Sequence, residues 1–121
     1  MKPVLIIDDD FRNTFALSAL LKTKGYKTFT ANNMVEAFAL LDREKKIGII
    51  LLDMMMPGMD GYDAIPVLKS TKAYKHLPVI AVTAQAMPGD REKCINAGAD
   101  EYVSKPVDVD LLLDILDKYL K

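Results

Sequence analysis

The sequence predicts a doubly wound α/β sandwich, five strands alternating with five helices, and three observations carry that prediction. Short apolar runs rich in Val and Ile recur along the chain. Segments with helical period separate them. Acidic residues and a threonine directly follow three of the runs, and a lysine follows another run, one residue further on. Strand alternating with helix in this way is the signature of an open parallel sheet with helices on both faces.

The elements follow in chain order. Val4-Leu5-Ile6-Ile7 is a continuous apolar run, the habit of a parallel strand buried on both faces. Leu17, Leu20 and Leu21 stand at i, i+3, i+4, and Gly25 offers a C-terminal stop for that helix. Lys27-Thr28-Phe29-Thr30-Ala31 alternates polar and apolar, as a strand at a sheet edge does. Behind Asn32-Asn33 as a candidate N-cap, Met34, Ala37, Phe38 and Leu41 mark a second helix. Ile49-Ile50-Leu51-Leu52 is the third strand. The third helix contains Pro66, which clashes with the preceding turn unless it falls in the first one. That helix is therefore expected to start near Asp63 or to bend. Val79-Ile80-Ala81-Val82 and the shorter Tyr102-Val103 are the last two strands, with a helix over 90–97 stopped by Gly98 between them. Leu112, Ile115, Leu116, Tyr119 and Leu120 form the stripe of a final helix, with Asp108 available to cap it.

Composition narrows the class. The chain has 121 residues, which fits one domain over 1–121 with no linker or repeat. Half of it is apolar, enough for a core of ordinary size. Sixteen basic and seventeen acidic side chains leave a net charge of −1, so no basic surface advertises direct nucleic-acid binding. The single cysteine, Cys94, forms no internal disulfide and suits a reducing cytoplasm. No apolar run approaches the ~20 residues that span a bilayer, and the acidic start does not resemble a signal peptide. The expectation is one soluble cytoplasmic domain with no membrane partner.

The polar residues at the strand ends point to the chemistry. Asp8, Asp9 and Asp10 follow the first run, Asp53 the third and Thr83 the fourth; Ser104 and Lys105 follow the fifth. In an open parallel sheet all of these meet at the carboxyl edge, where ligands bind at the reversal of strand order. Crowded carboxylates repel and need a counter-charge, and Mg²⁺, a hard cation taking oxygen ligands and waters, supplies it. Metal, lysine ammonium and threonine hydroxyl facing an aspartate make a site for a transferring phosphoryl group. An Asp carboxylate serves as nucleophile in such transfers. Each signal has a bland counterpart. Asp10 is equally an N-cap, Thr83 alone caps a helix, and a lone Lys-Pro is a turn. Their convergence on one edge favours the site.

Four segments resemble, in order, the sequence blocks of response-regulator receiver domains: Ile6-Ile7-Asp8-Asp9-Asp10, Leu52 through Gly61, Val82-Thr83-Ala84 and Ser104-Lys105-Pro106. The resemblance spans the chain. It implies a flavodoxin-like sheet of strand order 2-1-3-4-5 and a phosphorylation-dependent switch of a two-component system. By that resemblance Asp8 and Asp9 organise Mg²⁺, with Asp9 the direct ligand. Asp53 is phosphoacceptor and metal ligand, and the Met55 carbonyl completes the protein's coordination. Thr83 is the switch hydroxyl and Tyr102 the aromatic that moves with it. Lys105 pairs with the phosphoryl group, and its bond to Pro106 is cis. The small Ala84 leaves the phosphate approachable. The stretch from Thr83 through Asp100 resembles receivers of hybrid histidine kinases and stand-alone regulators.

The implied phosphodonor is a sensor histidine kinase or a histidine phosphotransfer protein. The implied output is a downstream protein bound at the helix 4–strand 5–helix 5 surface. Met55 and Gln85 stand where such domains tune dephosphorylation, and an apolar Met55 offers no hydrogen bond to an attacking water. Slow self-hydrolysis is the expectation. The chain is not expected to be an enzyme, since no acid-base residue stands by for turnover of a separate substrate. A binding module lacking the chemistry would have lost acceptor or acidic partner, and both are here. A flavin mononucleotide site is disfavoured because the Asp-rich first loop repels a phosphate. His76 reads as a solvated loop residue, Cys94 as packing, and Asp42 through Lys46 as a solvated helix end.

Overall fold

The computed structural model describes residues 1–84 and 87–121. Five parallel strands form one sheet: β1 (Val4–Ile7), β2 (Thr28–Ala31), β3 (Ile49–Asp53), β4 (Val79–Thr83) and β5 (Glu101–Ser104). Their order is β2-β1-β3-β4-β5, the flavodoxin-like arrangement. The helices are α1 (Phe11–Thr23), α2 (Met34–Arg43), α3 (Gly61–Ser70), α4 (Asp90–Ala97) and α5 (Val109–Leu120). Among the described residues, no helix is long and apolar enough to cross a membrane.

Strand alternation divides the core in two. Leu5, Ile7, Ile50, Leu52 and Ala81 face one side and pack under α2, α3 and α4 with Met34, Leu41, Ile65, Leu68 and Cys94. Val4, Ile6, Ile49, Leu51, Ile80 and Val82 face the other and meet Leu21 of α1 and Leu112, Ile115 and Leu116 of α5. Successive side chains on a strand point to opposite faces, so an unbroken apolar run serves both cores at once. Each fully buried aliphatic among them contributes about 1.5–3 kcal/mol.

The caps follow local rules. Asn33 accepts the Glu36 N–H and Asp108 the Leu111 N–H, each stopping the chain from entering its helix uncapped. Gly98, at φ 115°, closes α4 in the left-handed conformation that a side chain disfavours.

The third helix begins at Gly61, earlier than the expected start near Asp63, and Pro66 is its sixth residue. Two local forces start it early. Asp60 caps it by accepting the Asp63 N–H at 3.0 Å, and the Gly61 N–H bonds the Met54 carbonyl at 3.3 Å. A Cβ on Gly61 would sit 2.8 Å from the Met54 Cα, so only glycine lets the loop close there. Pro66 then costs the one backbone bond its N–H would have given the Tyr62 carbonyl. Its ring faces solvent.

Candidate functional site

The register sets the site. Ile7 pairs with Leu52 and Asp53 pairs with Val82, so Asp8 and Asp53 emerge side by side from adjacent strands. Thr83 lies opposite Ser104, which brings Lys105 over the same edge. The Lys105 N–H donates to the Thr83 carbonyl at 2.8 Å and fastens the β5–α5 loop beside β4. The Lys105–Pro106 peptide is cis.

Asp8 and Asp53 are 6% and 5% exposed, so both carboxylates leave water largely behind. Each keeps polar partners. Asp8 Oδ1 accepts the Asp10 N–H at 2.9 Å, and its Oδ2 accepts Lys105 Nζ at 3.0 Å and Asn13 Nδ2 at 3.4 Å. Asp53 Oδ1 accepts the Met55 N–H at 3.1 Å and lies 3.8 Å from Lys105 Nζ. Asp9 is exposed. One oxygen each from Asp8, Asp9 and Asp53 falls within 4.8 Å of the others. Three hard anionic oxygens gathered at a solvent-accessible rim fit a hard divalent cation such as Mg²⁺, which keeps several waters.

Electrostatics agree with that donor set. Burial pushes the Asp53 carboxyl up to about 6, and the Asp8 charge adds to the push. The Met55 N–H and the Lys105 ammonium act in the opposite sense. A carboxylate in that position gains from any further positive charge.

Of the residues singled out in the sequence, Asp8, Asp9, Asp53 and Lys105 come together here. Asp10 is the N-cap of α1, accepting the Arg12 N–H at 2.9 Å, so its capping reading holds. Thr83 is fully buried at the end of β4, and Ala84 beyond it is exposed. Tyr102 pairs with Ala81 in register and packs against the core under α2, α3 and α4. The Met55 side chain is 49% exposed beside the acceptor. Gln85 lies outside the described residues. His76 is exposed and Cys94 is buried, as the sequence suggested. Asn13 was missed. Its amide reaches Asp8 from the first turn of α1, and no sequence pattern announces it.

A cleft of about 300 Å³ opens beside Asp8 and Lys105, between α1 and the start of α5, with Leu17, Leu20 and Val107 among its walls. On the exposed side of α1, Phe11 and Phe15 are 68% and 65% exposed, with ring centroids 6.2 Å apart.

Residues 4–117 match the response regulator receiver domain family. The chain is 36% identical over 119 residues to the polar-differentiation response regulator DivK of Brucella anthropi, covering 98% of this chain and 96% of that one. A response regulator receiver protein from Pseudomonas putida superposes with a TM-score of 0.89 at 28% identity, with 98% of each chain covered. The receiver domain of a sensor histidine kinase from Pseudomonas aeruginosa, solved with a magnesium ion coordinated in its active site cleft, gives 0.85 at 30% identity, covering 98% of this chain and 96% of that one.

Proposed function

The chain belongs to the response-regulator receiver family, and from that premise we propose that it is a phosphorylation-dependent switch whose acceptor is Asp53. The observation that supports this most is the meeting of Asp8, Asp9 and Asp53 with Lys105 at the carboxyl edge of the sheet.

A phosphohistidine on a sensor kinase or a histidine phosphotransfer protein is the donor. An Asp53 carboxylate oxygen attacks phosphorus as the phosphorus–nitrogen bond breaks. The electron pair returns to the imidazole, and an acyl phosphate remains on Asp53. Asp8, Asp9 and Asp53, with the Met55 carbonyl, would hold Mg²⁺. When bound, that ion offsets the negative charge of the phosphoryl oxygens and of the carboxylates around them. Lys105, already shared between Asp8 and Asp53, turns its ammonium toward the phosphoryl oxygens. Asn13 keeps Asp8 oriented when the lysine shifts.

The adduct then favours a minor conformation in which the Thr83 hydroxyl bonds the phosphoryl group and Tyr102 turns inward. A downstream protein reads the change at α4, β5 and α5. The chain assists its own phosphorylation and slow self-dephosphorylation without being an enzyme for another substrate. It acts in the cytoplasm and needs no nucleic acid directly. Phosphotransfer from a labelled phosphohistidine protein tests this reading. Label should move to the parent and not to Asp53→Asn, and transfer to both alike would refute the assignment.

A further inference from the structure

The opposite end of the sheet carries an unassigned cleft of different character. Its volume is about 710 Å³, within the range of small-molecule sites. It is lined by residues that enter the strands, Pro3 before β1, Gly48 before β3 and Pro78 before β4, whereas Asp53 and Thr83 end theirs. The two sites therefore lie at opposite edges of one sheet.

The cleft collects lysines. Lys2, Lys45 and Lys46 line it together with His76, and among the described residues no carboxylate side chain does. Among the described residues, none of these four makes an ion pair. The acids nearest in sequence are engaged elsewhere. Asp42 takes the Tyr74 hydroxyl, Glu44 lies 3.7 Å from Arg43, and Asp117 takes the Tyr26 hydroxyl at 2.8 Å and Lys121 at 3.0 Å. Three lysines around one concavity, in a chain of net charge −1, are a local concentration of positive potential without an internal partner. Gly48 makes room for this arrangement, since a Cβ there would meet the Lys2 side chain lying across it. Leu77, Tyr119 and Leu120 add an apolar and partly aromatic stretch to the lining; the Tyr119 hydroxyl donates to Glu101 Oε2 at 2.8 Å and Lys118 Nζ stands 5.3 Å from the ring centroid.

We propose that this cleft binds a phosphorylated ligand of nucleoside-diphosphate type, with phosphates on Lys2, Lys45 and Lys46 and its planar base over Tyr119 and Leu120. The lysines supply point charges for a diphosphate, and the apolar part of the lining supplies a surface for a ring that inorganic phosphate lacks. This site is independent of the acceptor chemistry at Asp53.

The test is calorimetric titration with ADP, and separately with pyrophosphate, at fixed ionic strength so that screening is equal. ADP should bind saturably and one to one. Lys45→Gln/Lys46→Gln should weaken it by at least about tenfold, while Lys22→Gln/Lys24→Gln at the C-terminal end of α1 leaves it unchanged. Pyrophosphate should bind at least about tenfold more weakly than ADP. No saturable ADP binding, an equal loss in both variants, or pyrophosphate binding as tightly as ADP would each overturn the proposal. Phosphorylation of Asp53 in the same variants, read by mass, reports separately on fold and on the receiver chemistry.

Discussion

Lys105 Nζ lies 3.0 Å from Asp8 Oδ2 and 3.8 Å from Asp53 Oδ1, so one ammonium bridges two buried carboxylates at the carboxyl ends of adjacent strands. Its place there depends on the backbone bond from Lys105 to the Thr83 carbonyl. Removing one partner of a buried charge cluster leaves the others uncompensated. Lys105→Met is expected to lower the stability of the metal-free protein by about 1–3 kcal/mol, and to slow phosphorylation. Urea unfolding with and without Mg²⁺ measures the first effect, and a fully stable variant would contradict it.

The raised Asp53 carboxyl makes stability depend on pH. An unfolded Asp titrates near 3.8, whereas the folded one is pushed up to about 6. The folded state therefore holds the proton more tightly, and this contribution is complete below about pH 4. It is lost as pH rises through 6. In metal-free protein the loss is about 1–3 kcal/mol by pH 7, and Asp53→Asn should abolish it. Denaturation series of parent and Asp53→Asn from pH 4 to pH 7.5 compare the two slopes; parallel curves would contradict the burial argument.

Met55 bears on how long the adduct lasts. Its half-exposed thioether stands beside the acceptor and offers an attacking water no strong hydrogen bond. Met55→Asn should shorten the acyl-phosphate lifetime severalfold or more. A variant that loses its phosphoryl group no faster than the parent would count against this.

Phe11 and Phe15 lie on the exposed face of α1, in the helix that starts at the Asp10 cap; on the proposed acceptor role of Asp53, this face is the expected rest for a donor protein. Exposed paired aromatics of this kind make strong anchors. Phe11→Ala/Phe15→Ala is expected to cut phosphotransfer from a phosphohistidine protein about tenfold or more. Labelling by a small-molecule donor should be unaffected. Equal effects on both donors would indicate a folding defect instead of lost docking.

Pro66 shows where the sequence misled. An interior proline normally ends, delays or bends a helix, which is why a start near Asp63 or a bend was expected. The Asp60 cap and the Gly61–Met54 contact instead start α3 before the proline, and the missing bond to Tyr62 is tolerated on the solvent side. Pro66→Ala should therefore stabilise the protein by about 1–2 kcal/mol, as a shift in the urea midpoint at unchanged slope.

The strands were legible because Val4–Ile7, Ile49–Leu52 and Val79–Val82 are unbroken apolar runs that serve two cores. Once they were placed, Asp8, Asp53, Thr83 and Lys105 fell at one edge by topology alone. Asn13 and the lysine-lined cleft were not legible. Their partners meet through helix angle and loop path, and Lys2, Lys45 and His76 share no period or spacing in the sequence.

Intact mass after incubation with a small-molecule phosphodonor and Mg²⁺, run beside Asp53→Asn, tests the acceptor assignment most directly. The parent should gain one phosphoryl group only when Mg²⁺ is present, and the variant should gain none. An unmodified parent, or a variant that gains the same mass, would contradict it.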